Sequence, residues 1–570
     1  MPSRSVPCGT FPFAQRRMIG PASQCVETEA RGSRTISRCR ARAGFNSGRF
    51  CPTYSRRQRS ASSSAALVTD RIQMSLPNVT ASAASVAASG APPGRPAVAM
   101  LAIVVAVTAW RLLALIWTGH DLQPDEAQYW LWAQEPAFGY FSKPPMVAWL
   151  IGATTAACGD GEACVRLGSP LLHGMAALAI WRLGQEIGGP RLGLWSGTLY
   201  LTLPGIGFSS LLVSTDVPLL LCWCVALLAL WRLSHGGGVG WAVAGGLAAG
   251  AGLLSKYAMA YLLLCAVVWM AIAPAAARRV GIAKAVVMLA IALALLAPNL
   301  GWNALNGFPT LRHTAANANL AGPLLHPDRL AAFVGGQALL LGPVLFAALV
   351  LRLVRLRRPV GEAQGFLLAF GLPVLAFMLV QSLLSRAHAN WAAVSYPALT
   401  ILVAHWLIEL GRTRILVAAL ALHLAIAAAL PALPTLAGDI RVGGGGTLAE
   451  RLQGWSRLGR SVAAQLAADG QPKLLLADRK GAALLAYYAR PASGLRMWEP
   501  DGVAGNHFEM TWPLRADETG PLLLVAPAEV AERIASRFTT ATPRGRVAPP
   551  ERPERSSDWR MIRVDGFGGY

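Results

Sequence analysis

The sequence predicts an all-α polytopic membrane protein of about eleven transmembrane helices with a small C-terminal α/β extramembrane domain. Three observations carry that reading. Of 570 residues, 54% are hydrophobic and only 14% are charged. Apolar runs of roughly 17 to 24 residues, the length that crosses a bilayer, recur from Ala97 to Leu433. Beyond Pro434 the pattern changes to short apolar strands alternating with helical stretches.

Residues 1–96 are rich in Arg, Ser, Ala and Pro, show no helical or strand period, and end in APPGRP. They read as a disordered cytoplasmic tail. No apolar segment followed by a small-residue cleavage site marks a signal peptide, and Met74 is an alternative start. The apolar runs of 97–433 then lie near 97–117, 164–184, 191–209, 215–233, 239–254, 257–275, 281–299, 329–351, 364–384, 393–409 and 413–433. Alternate connections carry Arg182 and Arg191, Arg232, Arg278 with Arg279 and Lys284, the cluster from Arg352 to Arg358, and Arg412 with Arg414. The positive-inside rule makes these loops cytoplasmic. The net charge of +22 therefore reports membrane orientation rather than a nucleic-acid partner.

An odd number of spans leaves 434–570 outside. That region opens with Gly443–Gly446, continues through an amphipathic run from Leu448 to Leu466, and then holds LLLA before Asp478, the helical AALLAYYA, and LLLVA at 522–526. The nine cysteines form no metal-binding pattern. Cys222, Cys224 and Cys265 read as small hydrophobes in apolar helices, whereas Cys158 and Cys164 share one external loop and are a candidate disulfide.

Loop 118–163 concentrates the chemistry. Its stretch DLQPDEAQYWLWAQEPAFGYFSKPPMVAW places Asp121, Asp125, Glu126, Glu135, Lys143, Pro144 and Pro145 directly after a span. Asp125 and Glu126 suit either a helix N-cap or a general base acting on an incoming hydroxyl or amine. Lys143, fixed by the paired prolines, suits a phosphate or a lipid headgroup. Asp216 opens an apolar run as a cap or as a second acid that orients substrate. Lys256 interrupts hydrophobic sequence and needs an anion nearby, from lipid or from substrate.

Two further external segments are polar. One holds Asn299, Arg312, His313, Asn317 and Asn319; the other, SRAHANWAAVSYP, holds Arg386, His388, Asn390, Trp391 and Tyr396. Long polar loops carry function more often than tight connections do. Arg312 and Arg386 are candidate phosphate donors, Trp391 is an interfacial anchor, and Tyr129, His313, His388, Asn390 and Tyr396 are candidate substrate contacts. A divalent metal is a candidate cofactor through the separated acids, with no ligand set spelled out by spacing.

In order and context, DEAQYWLWAQ, GYFSKPPMVAWL, STDVPLL and GLLSKYA resemble the polyprenyl-phosphate-sugar-dependent glycosyltransferases, among them bacterial homologues of protein O-mannosyltransferases and the lipid A aminoarabinose transferases. The resemblance spans 97–433. It implies a GT-C-like fold and transfer of a sugar from a polyprenyl-phosphate donor to a lipid, glycan or protein acceptor. The expected setting is the periplasmic face of a bacterial inner membrane, in cell-envelope glycolipid, lipopolysaccharide or protein glycosylation. It also implies Asp125 as the base, Asp216 as the second acid, and Lys143 and Lys256 on the donor phosphate, with Arg312, His313, Arg386 and Tyr396 matched more loosely. One departure stands out: Ser142 occupies the place where aminoarabinose transferases carry Glu. A transporter or flippase is the alternative class; it would place ionisable groups at mid-membrane and repeat its halves, and this chain's helix centres hold few such groups.

Overall fold

The computed structural model describes residues 94–316, 325–356, 360–432, 441–442, 446–447, 454–547 and 559–570. The expected tail up to residue 93, Asn317, Asn319, Gly443–Gly445 and 448–453 lie outside the described residues. Each expected apolar run is helical, as α1 (Arg95–Thr118), α5 (Gly168–Thr202), α6 (Pro204–Ser209), α7 (Asp216–Ser234), α8 (Val239–Ser255), α9 (Tyr261–Ile272), α11 (Ile282–Leu305), α13 (Pro327–Leu341), α14 (Pro343–Val354), α15 (Glu362–Leu384), α16 (Tyr396–Glu409) and α17 (Thr413–Ala429). Shorter α2 (Pro124–Gln134), α3 (Met146–Cys158), α4 (Glu162–Arg166), α10 (Pro274–Arg278) and α12 (Pro309–Ala316) fill the connections.

Among the described residues seven helices are long and apolar enough to cross a bilayer, and α8 and α9 are shorter apolar helices. Two expected spans, 164–184 and 191–209, are joined through α5, whose backbone leaves helical geometry at Gly188 and at Gly189, where φ is 82°. The run 329–351 is not one straight span. It breaks into α13 and α14, bent by 113°, because Gly342 adopts φ 85° and Pro343 has no N–H with which to continue the preceding helix.

The two ends of the bundle differ in charge. At one end Arg232 pairs with Glu186, Arg182 pairs with the same carboxylate at 2.9 Å, Arg279 pairs with Glu362, and Lys284 donates to the Gly237 carbonyl at 2.7 Å. These belong to the loops expected on the cytoplasmic side. Between the ends, Trp223, Trp406, Tyr200, Phe366 and Phe370 are fully buried. The outer face of α1 presents Leu113, Ile116 and Trp117, a liability in water but what lipid contact requires.

The C-terminal region contains α18 (Trp455–Ala468), α19 (Arg479–Ala489), α20 (His507–Thr511) and α21 (Ala528–Ala535), with strands β1 (Arg441–Val442), β2 (Gly446–Thr447), β3 (Lys473–Leu476), β4 (Leu495–Met497), β5 (Leu522–Pro527), β6 (Phe538–Val547) and β7 (Trp559–Phe567). The larger sheet runs β4-β3-β5-β7-β6. The β3 strand is parallel to β4 and β5, while β7 lies antiparallel to β5 and β6. The expected strands LLLA and LLLVA are thus the buried centre, and three partner strands join them.

That sheet region and the loop after α1 share one core. Leu122, Tyr129, Trp130 and Trp132 from the loop pack in the same cluster as Leu458, Leu474, Leu484, Tyr487 and Phe508. Polar contacts fix the seating. Asp121 Oδ2 accepts the backbone N–H groups of Trp455 at 2.7 Å and Ser456 at 3.2 Å, so a distant carboxylate caps α18, whose own preceding residue, Gly454, has no side chain to do so. Tyr488 Oη accepts from the Leu122 amide at 2.7 Å. Asp121→Ala should cost about 1 kcal/mol or somewhat more by uncapping α18. The expected reading is a lower unfolding midpoint and faster proteolysis of the C-terminal region, with Asp121→Asn intermediate.

Candidate active site

The α2 helix starts through Pro124 at its first position and a reciprocal capping box between Gln123 and Glu126. Neighbouring acids there separate completely in environment. Glu126 is 2% exposed and faces Arg166, 3% exposed. Arg166 Nε and Nη2 donate to its two oxygens at 2.8 and 2.7 Å. The amides of Val213 and Gln123 donate to the same oxygens, each at 2.9 Å. Both carboxylate oxygens are therefore occupied, unlike those of a base awaiting a proton.

Asp125, one residue earlier, points away from that clamp and has a half-exposed side chain. It occupies the second helical position rather than the N-cap. Arg479 Nη1 donates to its Oδ1 and to Gln128 Oε1, both at 2.8 Å. Arg479 begins α19, which is capped by the Asp478 side chain on the Gly481 amide at 2.9 Å. The C-terminal region thus supplies a cation to the first-loop acid. Sequence reading missed this residue, because nothing local distinguishes ADRK from any other basic helix start.

Asp216 is buried at the first position of α7. Its Oδ1 accepts from Lys256 Nζ at 2.8 Å and its Oδ2 from Asn390 Nδ2 at 2.7 Å. Three segments distant in sequence meet there. Lys256 can reach because its extended backbone, φ −161°, breaks the chain between α8 and the turn Tyr257–Ala260.

Lys143 is partly buried ahead of the buried pair Pro144 and Pro145. Burial pulls its ammonium below the ordinary lysine range, and Lys256 adds to that, while Asp125 and Asp216 oppose it. His313, against the Phe141 ring at 6.0 Å, is held low by burial, then by Lys143 and Arg479. Burial and, next, Asp125 raise the Tyr129 hydroxyl. His388 is lowered by burial, Arg386 and Lys256. These mutual influences put Asp125, Asp216, Lys143, Lys256, Arg479, Tyr129, His313 and His388 within one electrostatic neighbourhood.

Other expected residues fall elsewhere. Tyr396 is buried in the bundle and donates to Gln337 Oε1 at 2.7 Å. Arg312 and Arg386 are exposed, and neither makes an ion pair among the described residues. The polar segment from Asn299 onward, which begins within the last turns of α11, partly serves architecture: Asn299 Nδ2 donates to the Phe138 carbonyl and Thr310 Oγ1 to the Tyr140 carbonyl, both at 2.7 Å. Gly139 lies so close to Trp302 that a Cβ would approach its ring to 2.4 Å. Cys158 and Cys164 are joined as a disulfide. Among the described residues no three His, Cys, Asp or Glu side chains converge as a metal site; each acid of the cleft already faces a side-chain cation.

Comparison with known proteins meets this geometry from outside. Residues 142–302 match the family model described as dolichyl-phosphate-mannose-protein mannosyltransferase. The lipid A galacturonosyltransferase RgtD of Rhizobium johnstonii is 32% identical over 466 residues, 81% of this chain and 94% of that protein. The undecaprenyl phosphate-alpha-4-amino-4-deoxy-L-arabinose arabinosyl transferase 1 of Pseudomonas fluorescens is 32% identical over 141 residues, 23% of this chain and 25% of that one. Among solved structures, ArnT from Cupriavidus metallidurans bound to undecaprenyl phosphate superposes with a TM-score of 0.58 at 17% identity, covering 82% of this chain and 97% of its own; that likeness establishes a shared fold. The chain is a multi-pass membrane enzyme, and the transporter or flippase alternative falls. It belongs to the polyprenyl-phosphate-sugar-dependent membrane glycosyltransferases.

Proposed function

We propose that the protein transfers a sugar from a polyprenyl-phosphate donor to a lipid A-type glycolipid at the periplasmic face of a bacterial inner membrane, by a single inverting displacement. The observation that carries this reading is the convergence of Asp125 and Asp216 with the cations Lys143, Lys256 and Arg479 beside the membrane bundle. Asp125 Oδ1 is held by Arg479, and its Oδ2 makes no hydrogen bond among the described residues. An acceptor hydroxyl loses its proton to Oδ2 as its oxygen attacks the anomeric carbon. The bond from that carbon to the phosphate oxygen breaks, and the electron pair leaves with polyprenyl phosphate. The leaving group is a weak base, so stabilising its charge matters more than protonating it.

Lys143 takes the departing phosphate in this scheme, because its ammonium makes no hydrogen bond or ion pair among the described residues. Asp216 orients Lys256 and Asn390 rather than reacting. Glu126 is a positioning residue, fully committed to Arg166. The disulfide in the first loop supports an oxidising compartment. The galacturonosyl specificity named for the RgtD relative suits a cleft with three cations against two acids, in which Ser142 leaves the position before Lys143 uncharged. A uronic acid is the sugar we infer. The 434–570 region then lies on the periplasmic side and delivers Arg479.

Asp125→Asn should lower kcat by about 10²-fold or more while leaving the unfolding midpoint unchanged; normal transfer by that variant would remove its assigned role. Glu126→Gln should act the other way, destabilising the fold by about 3 kcal/mol or more because Arg166 is left buried without its partner. The fraction that folds should keep its turnover. Arg479→Ala should lower kcat by about 10²-fold without releasing the C-terminal region, whose apolar core remains.

The pH dependence follows from Lys143. Its ammonium is charged below a pKa held under the ordinary lysine value, so donor affinity is full at lower pH and falls as pH rises through that lowered value. Donor KM should therefore climb on the alkaline side. Lys143→Arg keeps its charge throughout and should flatten that limb.

A further inference from the structure

A second cationic feature lies in the bundle, apart from the cleft. Arg111, in α1, is 3% exposed, and the sequence reading passed over it. Its Nη2 donates to the Leu201 carbonyl, while its Nη1 is buried with no hydrogen-bond partner. No acid is paired with it among the described residues. An ionised guanidinium held among apolar helices without a counter-charge is costly and calls for an anion.

Arg111 also lines a groove of about 340 Å³ between α1, the end of α5, α6 and α17. Apart from Thr202, its other walls are apolar, including Trp110, Leu211, Leu424 and Leu430. Trp110 Nε1 donates to the Ala427 carbonyl at 3.3 Å, tying α1 to α17 across the groove. Leu424 is 47% exposed, and Leu113, Ile116 and Trp117 further along α1 are exposed as well, so the groove opens where lipid lies. Arg111 stands seven residues before the end of α1 at Thr118, a depth of about 10 Å along the helix. An interfacial phosphate can be reached from there by the usual snorkelling of a long cationic side chain. None of the groove's lining residues belongs to the cleft of Asp125 and Asp216.

We propose that this groove binds one anionic phospholipid of the surrounding bilayer, with its phosphate on Arg111 and an acyl chain against Leu424 and Leu430. The charge selects the headgroup: a zwitterionic lipid would bring a second cation toward Arg111, whereas a net-anionic one supplies the missing counter-charge. The inference rests on the membrane bundle and is independent of the assignment of Asp125.

The test exposes purified protein in mild detergent to phosphatidylglycerol and phosphatidylcholine with identical acyl chains and reads retained lipid by native mass spectrometry. The native chain should hold one phosphatidylglycerol, preferred by about tenfold or more over phosphatidylcholine, the scale of one charge-assisted hydrogen bond. Arg111→Gln, which removes the charge and keeps a polar amide in the groove, should lose the preference. Leu424→Trp, at an exposed position, should lose retention with Arg111 intact. Equal retention of the two lipids by the native chain, or an unchanged preference in Arg111→Gln, would overturn the proposal. So would displacement of phosphatidylglycerol by polyprenyl phosphate in the native chain but not in Arg111→Gln, since the groove would then serve the donor.

Discussion

The buried pair between Glu126 and Arg166 is the interaction on which the site's geometry depends. Such a pair repays its desolvation only when further hydrogen bonds take up the remaining lone pairs and protons, and here four of the five guanidinium N–H groups and both carboxylate oxygens have partners. The carboxylate takes two guanidinium protons and two backbone amides; the guanidinium also donates to the carbonyls of His120 and Asp121, at 2.9 Å each. One contact therefore fixes the end of α1, the start of α2, the helix α4 and the segment that leads through Val213 into α7. Asp125 is adjacent to Glu126, and Asp216 lies three residues beyond Val213. The spacing between the two cleft acids is in this way set by a buried pair whose carboxylate oxygens are already taken up by hydrogen bonds.

From that frame the charges fall into order. Asp125 has Arg479 and Asp216 has Lys256, whereas Lys143 has electrostatic neighbours but no ion-pair partner among the described residues. Its depressed ammonium is what a cation looks like when burial and Lys256 outweigh two acids. An incoming phosphate would reverse that balance, strengthening its own binding by restoring full charge to the lysine. The groove at Arg111 repeats the principle in a different place: a fixed cation in apolar surroundings, oriented by a carbonyl and short of an anion.

The C-terminal sheet region is joined to this arrangement rather than appended to it. Its α19 packs on α2 through Tyr487 and Trp130, whose rings meet edge to face at 4.9 Å, and its α18 is capped by Asp121. Arg479 reaches Asp125 because both helix starts are held at one shared hydrophobic core. A loop acid and a residue more than 350 positions later are thereby kept in register without a covalent link.

The sequence by itself determined what depends on local pattern: the apolar runs, the basic end of the bundle, the two central strands, and Asp125, Lys143, Asp216 and Lys256 as unusual charges in an apolar chain. Length and hydropathy are properties of contiguous residues, so they are legible without a fold. The 113° break at Gly342, the commitment of Glu126 to Arg166, the burial of Tyr396 against Gln337 and the arrival of Arg479 were decided by tertiary structure. Each depends on which distant group fills a hydrogen-bonding position, and two adjacent carboxylates such as Asp125 and Glu126 look alike until their partners, 354 and 40 residues away, are in place.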